Sequence, residues 1–303
     1  MALALALWCR GESFGAEPRF VKVSDHCYYM QLKESGENVG AVITDDGILL
    51  INPPQEPELI AVAGSLANTS SKAVRWVVAT EPGLFPNTGA HFYSERNPIL
   101  LASAKMQALL PVESQNQAGD RAKPFSSSRF IFERQMRLFP SNLEVRIIAI
   151  QHKARTGGDI AIFVPAEKVL FAGGLYEAAR YPDIDTAREG SAVGWIDGMK
   201  QIIDSVPVLK VAIPAAKRAP KTEPEKTIEE GITVISLRGE VSNLQNMKDL
   251  LESSRKLRND ISRSIRIGRT CSSFLNSSLS DPYRGYSNLE SYAAQLFEAL
   301  EGK

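Results

Sequence analysis

The sequence predicts an α/β protein folded as a four-layer αββα sandwich, in which two β-sheets pack face to face between outer layers of helices. Short β-type apolar runs occur in two successive sets, and segments with apolar residues at helical spacing follow each set. The 303 residues contain no internal repeat and no domain-scale linker. One domain with a sizeable core is therefore expected.

The first set of strands occupies the N-terminal third of the chain. It comprises the segments 20–24, 27–32, 39–45, 47–51, 73–80 and 97–103. The turn Asp45-Asp46-Gly47 predicts that the third and fourth segments form a hairpin. The run AVRWVVAT at 73–80 is almost continuously apolar, which is typical of a strand covered on both faces. Helical spacing over 56–67 predicts a helix between these strands, and a short helix follows residue 103.

The second set of strands leads into a helical C-terminus. Strands are predicted over 129–139, 143–150, 158–165, 168–175 and 209–214, with a helix over 191–205 and a charged, Pro-containing loop over 217–226. The C-terminal helices are placed from about residue 228. A long amphipathic helix is marked by Val241, Leu244, Met247, Leu250, Leu251, Leu257, Ile261 and Ile265, and a last helix covers 287–302.

Composition excludes several classes of protein. The 35 basic and 35 acidic side chains cancel, which argues against a surface that generally seeks polyanions. No apolar run reaches the roughly 20 residues that a bilayer-spanning helix needs. The cysteines Cys9, Cys27 and Cys271 are too widely spaced to predict a disulfide framework or a CxxC metal site.

Residues 1–17 are predicted to be separate from the folded domain, which is placed at 18–303. The run ALALALW at 2–8 is short, no Lys or Arg precedes it, and a cut after Ala16 would put Phe14 at position −3. Two interpretations stay open: a disordered N-terminus, or a secretory signal whose start lies upstream. The second would place the protein in the periplasm or outside the cell, and the first in the cytoplasm.

Several separated segments, in the same order, resemble the metallo-β-lactamase superfamily, and its secreted, quinoprotein-relay-like branch in particular. VGAVITDDGILLIN at 39–52 is similar to the opening hairpin of that family. RTGGDIAIFVPAEKVLFAGGL at 155–175 is similar to its HTxGD and LFxGD segment, and GWIDGMKQIIDSV at 194–206 with VAIP at 211–214 to the elements before its PGHG. The resemblance runs from about Phe20 to the C-terminus. It implies the αββα fold and a metal-dependent hydrolase.

The metal motif of that family is replaced throughout. Where the family has HxHxDH after a threonine, this chain reads Thr80 followed by EPGLFP. The ligand positions of the family fall on Glu81, Gly83, Phe85, Pro86, Arg155, Gly174 and Ala216. Zinc needs three or four converging N, S or O donors, and among these side chains only Glu81 supplies one. We therefore expect that the dinuclear metal site is lost and that the chain holds no cofactor.

The remaining histidines do not suggest a replacement site. His26, His91 and His152 are scattered, and each is interpreted as a surface or hydrogen-bonded residue. A relocated mononuclear site using Glu81, His91, His152 or Asp159 is conceivable but has no motif behind it. No catalytic residue is predicted, because there is no GxSxG elbow, no Walker loop and no Ser–His or Cys–His motif.

The resemblance also suggests what occupies the former metal position. Positions 81 and 155 bind the same metal in the family, so their side chains should converge. Here they are Glu81 and Arg155, a carboxylate and a guanidinium of complementary geometry, and we predict an ion pair between them. Leu84, Phe85 and Pro86 would fill the space of the second metal. The alternative is simple drift, with these side chains oriented independently.

Three functions follow from the sequence, in decreasing order of support. The first is a non-catalytic protein, a pseudoenzyme that binds a small molecule or a protein partner through the remodelled cleft. The second is a hydrolase of the same superfamily with a reduced or displaced metal site. The third is a nucleic-acid-associated protein that uses the basic residues Arg255, Lys256, Arg258, Arg263, Arg266 and Arg269. Interspersed Glu252 and Asp260, and the absence of aromatic residues for base stacking, favour a solvated helix face instead.

Overall fold

A computed structural model describes residues 18–54, 57–84, 98–110, 129–206, 210–211, 228–229 and 231–302. The sequence-based expectations for residues 1–17, for the loop at 217–226 and for most of the strand at 209–214 lie outside these described residues. So do those for Phe85, Pro86, His91 and Ala216.

In the described part of the chain, the first sheet has seven strands that lie side by side in chain order. They are β1 (Val21–Lys22), β2 (Cys27–Gln31), β3 (Asn38–Thr44), β4 (Gly47–Ile51), β5 (Val74–Val78), β6 (Ile99–Ser103) and β7 (Arg129–Phe132). The first four pair antiparallel, which confirms the hairpin at Gly47. Pairing from β4 to β7 is parallel, with crossovers that contain α1 (Glu58–Thr69) and α2 (Ala104–Leu109).

The second sheet is built from the second set of strands and two short ones near the C-terminus. Its strands are β8 (Gln135–Leu138), β9 (Val145–Ala149), β10 (Ile160–Val164), β11 (Val169–Gly173), β14 (Thr233–Ser236) and β15 (Ser242–Asn243). The strands β12 (Lys210–Val211) and β13 (Ile228–Glu229) form a separate two-stranded ribbon. Among the described strands of the second sheet the order is β15-β14-β11-β10-β9-β8, and only β11 and β14 pair parallel. Every residue of β10 and β11 is buried, as expected of central strands covered on both faces.

Successive side chains of a strand point to opposite faces of the sheet, so the buried residues of the second sheet belong to two separate core layers. In β10, Ile160, Ile162 and Val164 belong to the core that they share with the first sheet and with α1. Ala161 and Phe163 point to the opposite face. That second face packs against α3 (Ala192–Ser205), α4 (Leu244–Arg266), α5 (Cys271–Leu275) and α6 (Leu289–Glu301). The four-layer αββα arrangement with extra C-terminal helices is thus confirmed.

Three sequence-based boundaries are wrong. The segment 129–139 is not one strand: it turns at 133–134, so that β7 lies in the first sheet and β8 in the second. The C-terminal helices begin at Leu244 rather than about residue 228, because 231–243 supplies β14 and β15 to the second sheet. Val241 consequently precedes the helix and is 36% exposed.

Helix α4 begins with a side-chain cap, and the cap gives a first prediction. Asn243 Oδ1 accepts a hydrogen bond from the backbone N–H of Asn246 at 2.9 Å. Asn243→Ala leaves that N–H without its side-chain partner and should lower the free energy of unfolding by about 1 kcal/mol. Urea denaturation measures the change. Gln245→Ala, which removes only an exposed contact to Asp249, is the control, and equal effects of the two variants would contradict the capping role.

The outer surface of α4 is charged and partly paired. Lys256 lies 3.5 Å from Glu252, and Arg263 lies 3.3 Å from Asp260. Such exposed pairs are typical of a solvated helix face. Among the helices of the described residues, none is both long and apolar enough to cross a bilayer.

Candidate functional site

The candidate site lies where loops from both sheets meet. Thr80 and Glu81 follow β5, Arg155 lies between β9 and β10, and Gly174 follows β11. The sheets are joined here by a hydrogen bond from the N–H of Ile160 to the carbonyl of Thr80, at 2.7 Å. Asn52, after β4, accepts a hydrogen bond from the N–H of Thr80 at 2.8 Å and so fixes the residue before Glu81.

Glu81 and Arg155 form a direct ion pair. Arg155 Nη1 lies 2.6 Å from Glu81 Oε2, within the range of charge-assisted hydrogen bonds. The Glu81 side chain is only 8% exposed and the Arg155 side chain only 12%. The pair is therefore nearly removed from water. Removing one partner of such a pair lowers the free energy of unfolding far more than removing one partner of a surface pair.

Gly174 provides the space that the ion pair occupies. A Cβ atom at position 174 would overlap Glu81 Oε2 and lie 2.9 Å from Arg155 Cδ. At Gly83, by contrast, a Cβ would be 3.7 Å from Glu81 Oε1, an ordinary van der Waals distance. The glycine at 174 and the two charged residues thus depend on one another, whereas Gly83 does not share this constraint.

The packing around Gly174 gives a second prediction. Gly174→Ala should displace the Glu81 carboxylate and lower the free energy of unfolding by about 1–3 kcal/mol, the usual cost of overpacking a core. Gly83→Ala is the matched control, because its added methyl group meets no close neighbour. Urea denaturation of both variants gives the comparison. If Gly174→Ala lowers the free energy of unfolding no more than Gly83→Ala does, the pair does not fill this space.

Further charges surround the pair. Arg238 pairs with Glu37 at 2.5 Å and joins the start of β3 to the segment after β14. Burial raises the pKa of Glu81 above its ordinary value, and the positive charges of Arg155 and Arg238 oppose this shift. The Glu81 carboxylate therefore depends on its arginine neighbours to remain charged.

Several carboxylates besides that of Glu81 act on Arg155. Burial alone would lower the pKa of its guanidinium, but Glu81, Asp159, Glu177 and Asp185 together raise it. A guanidinium is charged throughout the accessible pH range, and here its surroundings favour the charge further. The site therefore contains a permanent, partly buried cation.

Asp159 holds the turn that carries Arg155. Its Oδ1 accepts the Thr156 hydroxyl at 2.5 Å, and its Oδ2 accepts the Thr156 N–H at 2.8 Å. The Thr156 hydroxyl in turn accepts the N–H of Gly158 at 3.1 Å. Burial raises the pKa of Asp159 to about 7, although both Thr156 hydrogen bonds lower it. Sequence reasoning treated Asp159 only as a conceivable metal donor, although the Thr-Gly-Gly-Asp spacing is a signal for a turn of this kind.

The other predicted residues that the structure describes do not add donors to the site. Leu84 is partly buried against the core between the sheets. His26 Nδ1 lies 2.6 Å from Glu167 Oε1, on the turn between β10 and β11 at the opposite end of those strands from Arg155 and Gly174. His152 is exposed. In the described ranges, no three His, Cys, Asp or Glu side chains are grouped to hold a metal ion.

These residues do not fit the metal site that the resemblance implies. Arg155 places a fixed positive charge 2.6 Å from the Glu81 carboxylate, and Gly83 and Gly174 offer no side-chain donor. Asp159 already accepts two hydrogen bonds from Thr156. A divalent cation about 4 Å from a guanidinium would be repelled by about 8 kcal/mol at an effective dielectric constant of about 20. That is a large part of the roughly 10–16 kcal/mol with which structural zinc sites bind.

Comparison with known proteins identifies the architecture. A scan of protein-family models finds no match, and a search of curated proteins finds none either. Among solved structures, the FIM-1 metallo-β-lactamase from Pseudomonas aeruginosa in its mono-zinc form is similar over 80% of this chain and 96% of that chain, with 14% identity and a TM-score of 0.57. DIM-1 metallo-β-lactamase is 11% identical over 79% of this chain and 98% of that one, with a TM-score of 0.56. A metallo-β-lactamase from Pontibacter korlensis is 15% identical over 78% and 99%, with a TM-score of 0.55. At these identities the likeness shows a shared fold.

Proposed function

Starting from the metallo-β-lactamase fold of this chain, we propose that the protein is a non-catalytic member of that fold, a pseudoenzyme that binds a small molecule or a protein partner at the loops that carry Glu81 and Arg155. The 2.6 Å ion pair between these side chains carries the proposal. It joins two positions that hold one metal in the family that the sequence resembles.

The physical argument is one of charge balance. A dinuclear site needs several anionic or neutral donors around two divalent cations, and it activates water by lowering the pKa of a bridging molecule. Here one carboxylate faces one guanidinium, so their charges cancel without an ion. Gly174 gives the pair room, since a side chain there would collide with it. The substitutions at 81, 155 and 174 are mutually compatible, which favours refilling of the site over independent drift.

A hydrolase with a reduced metal site is the second candidate, and one observation favours it. Glu81 keeps a carboxylate at the first ligand position, and its contact to Arg155 uses only one of its two oxygens. A cation could bind Glu81 if Arg155 moved away, provided that other donors converged on it. The charge of Arg155 makes this arrangement costly.

Metal content and hydrolysis, measured on the same sample, separate the two candidates. The full chain is purified from cultures supplemented with zinc and iron, analysed for metals, and screened on β-lactam, thioester and phosphodiester substrates with and without EDTA. We expect far less than one metal ion per chain and no EDTA-sensitive turnover. A stoichiometric ion with EDTA-sensitive turnover, lost in Glu81→Gln, would replace the pseudoenzyme proposal with the hydrolase.

A further inference from the structure

The C-terminal end of α4 and the turn after it form a basic surface that shares no residue with the site at Glu81 and Arg155. The segment 255–269 contains six basic side chains and one acidic side chain, that of Asp260, although the charges of the whole chain cancel. Such a local excess of one sign attracts partners of the opposite charge. The basic residues are Arg255, Lys256, Arg258, Arg263, Arg266 and Arg269.

Ion pairs leave most of these charges available to a partner. Lys256 contacts Glu252 in an exposed pair, and such pairs are weak. Arg263 contacts Asp260, but the Arg263 side chain is 74% exposed and that of Asp260 only 34%. Asp260 also accepts the hydroxyl of Tyr283 at 2.5 Å, so the arginine extends further into solvent than its partner. Within the described part of the chain, no ion pair is made by Arg255, Arg258, Arg266 or Arg269.

A large apolar side chain lies beside these charges. Ile267 follows the last residue of α4 and is 70% exposed, more than any other large apolar side chain of the described residues. Gly268, with a φ of +74°, turns the chain, and the N–H of Arg269 donates to the carbonyl of Ser264 at 2.9 Å. The helix therefore ends in a hydrogen-bonded turn that keeps Ile267 in solvent, next to Arg266 and close to Arg269 in the chain.

Helical spacing puts this isoleucine and two of the cations on one side of α4. Lys256, Arg263 and Ile267 are separated by seven and then four residues, a spacing that returns to the same face of a helix, and all three are exposed. The opposite face, with Leu257 and Ile261, is buried against the second sheet. The cations and the isoleucine are therefore presented to one partner surface.

An anionic bilayer matches this combination better than a nucleic acid does. Both carry phosphodiester charges that bind basic side chains. Single-stranded nucleic acids are also held by stacking of bases on aromatic side chains, and the segment 255–269 contains none. An exposed aliphatic side chain among cations suits a lipid surface, because the cations bind the headgroups while the aliphatic group enters the boundary between headgroups and acyl chains.

We propose that the C-terminal end of α4 docks on the surface of a bilayer that contains anionic phospholipid. Arg263, Arg266 and Arg269 contact the headgroups, and Ile267 enters the interface. The docking is peripheral, and it is independent of the function proposed for the loops that carry Glu81 and Arg155.

Sedimentation of the full chain with vesicles tests the proposal. The vesicles contain equal parts of phosphatidylcholine and phosphatidylglycerol, and vesicles of phosphatidylcholine alone are the reference. Each cation near an anionic bilayer strengthens binding about five-fold, so Arg266→Gln/Arg269→Gln should weaken it about 25-fold. Ile267→Ser should weaken it by roughly three- to ten-fold, since less apolar surface leaves the water. Raising the salt from about 0.1 M to about 1 M should release the chain, because the Debye length falls from about 10 Å to about 3 Å.

Matched variants on the opposite side of the sandwich keep the test specific. Arg19→Gln/Lys33→Gln removes two exposed cations that have no ion pair among the described residues. Ile60→Ser removes an aliphatic side chain that is 62% exposed on α1, which packs on the first sheet. Both should bind the vesicles as the unsubstituted chain does, and circular dichroism checks that every variant is folded.

Three results would overturn the proposal. One is equal sedimentation with the two kinds of vesicle, and another is the same loss of binding in the control variants as in the α4 variants. The third concerns a labelled single-stranded RNA. If Arg266→Gln/Arg269→Gln weakens the binding of RNA and of vesicles alike, while Ile267→Ser changes neither, the surface binds polyanions in general and not a bilayer.

Discussion

Replacing Arg155 by methionine should lower the free energy of unfolding by about 3–5 kcal/mol, the usual cost of leaving one partner of a buried ion pair alone. Methionine keeps much of the packing volume but removes the charge, and Glu81 would remain only 8% exposed without its counterion. Stabilities of domains are about 5–15 kcal/mol, so this loss is a large fraction of the total and the variant is handled in stabilising buffer. Urea denaturation at pH 7.5, compared with the unsubstituted chain, measures the loss.

Two further variants show whether the effect belongs to the buried pair. Arg188→Met removes an exposed arginine that pairs with Asp185 at 2.6 Å, and its cost should not exceed about 1 kcal/mol. The double variant Glu81→Met/Arg155→Met should recover much of the loss, since neither charge is then left unpaired. A cost at Arg155 as small as at Arg188 would contradict a structural role for the ion pair.

Asp159 should contribute more to the free energy of unfolding at low pH than at high pH. Its pKa is about 7 in the folded chain, above the ordinary value of 3.8, because the group is fully buried. The folded state thus binds the proton more tightly than the unfolded state. This contribution is fully present below pH 3.8 and is lost as the pH rises to about 7. The difference between the folded and the ordinary pKa corresponds to about 4 kcal/mol, with a slope of at most about 1.4 kcal/mol per pH unit.

The comparison with Asp159→Asn isolates this group from all others that titrate. An asparagine can still accept the N–H of Thr156, and its amide can donate to the Thr156 hydroxyl. The unfolding free energy of the unsubstituted chain, minus that of Asp159→Asn, should therefore fall between pH 5 and pH 7 and level off by pH 8. Urea denaturation at unit pH intervals measures this difference. A difference that stays constant with pH would show that Asp159 is already charged throughout.

Much of the fold could be predicted because it depends on local patterns. The hairpin at Gly47 has a short turn between apolar runs, and the fully buried strands β10 and β11 are continuous apolar segments. The four-residue strand β14 was missed because a run this short carries little periodicity. The division of 129–139 between the sheets was also missed, since alternation within a strand does not indicate which sheet it joins.

The site was predictable in part, for a different reason. The proximity of Glu81 and Arg155 was inferred from a resemblance between motifs, and 74 residues separate them in the sequence. No local pattern indicates such a contact. The raised pKa of Asp159 depends on its complete burial, and the need for glycine at 174 depends on atoms from two other loops. Both are properties of packing, which a single sequence does not encode locally.

The most direct test of the account is a crystal structure of the protein grown with millimolar zinc, with anomalous data collected at the zinc absorption edge. The account predicts no anomalous peak near Glu81 and an Arg155 guanidinium in direct contact with the Glu81 carboxylate. A peak coordinated by Glu81, with Arg155 turned away from it, would contradict the claim that protein charges have replaced the metal.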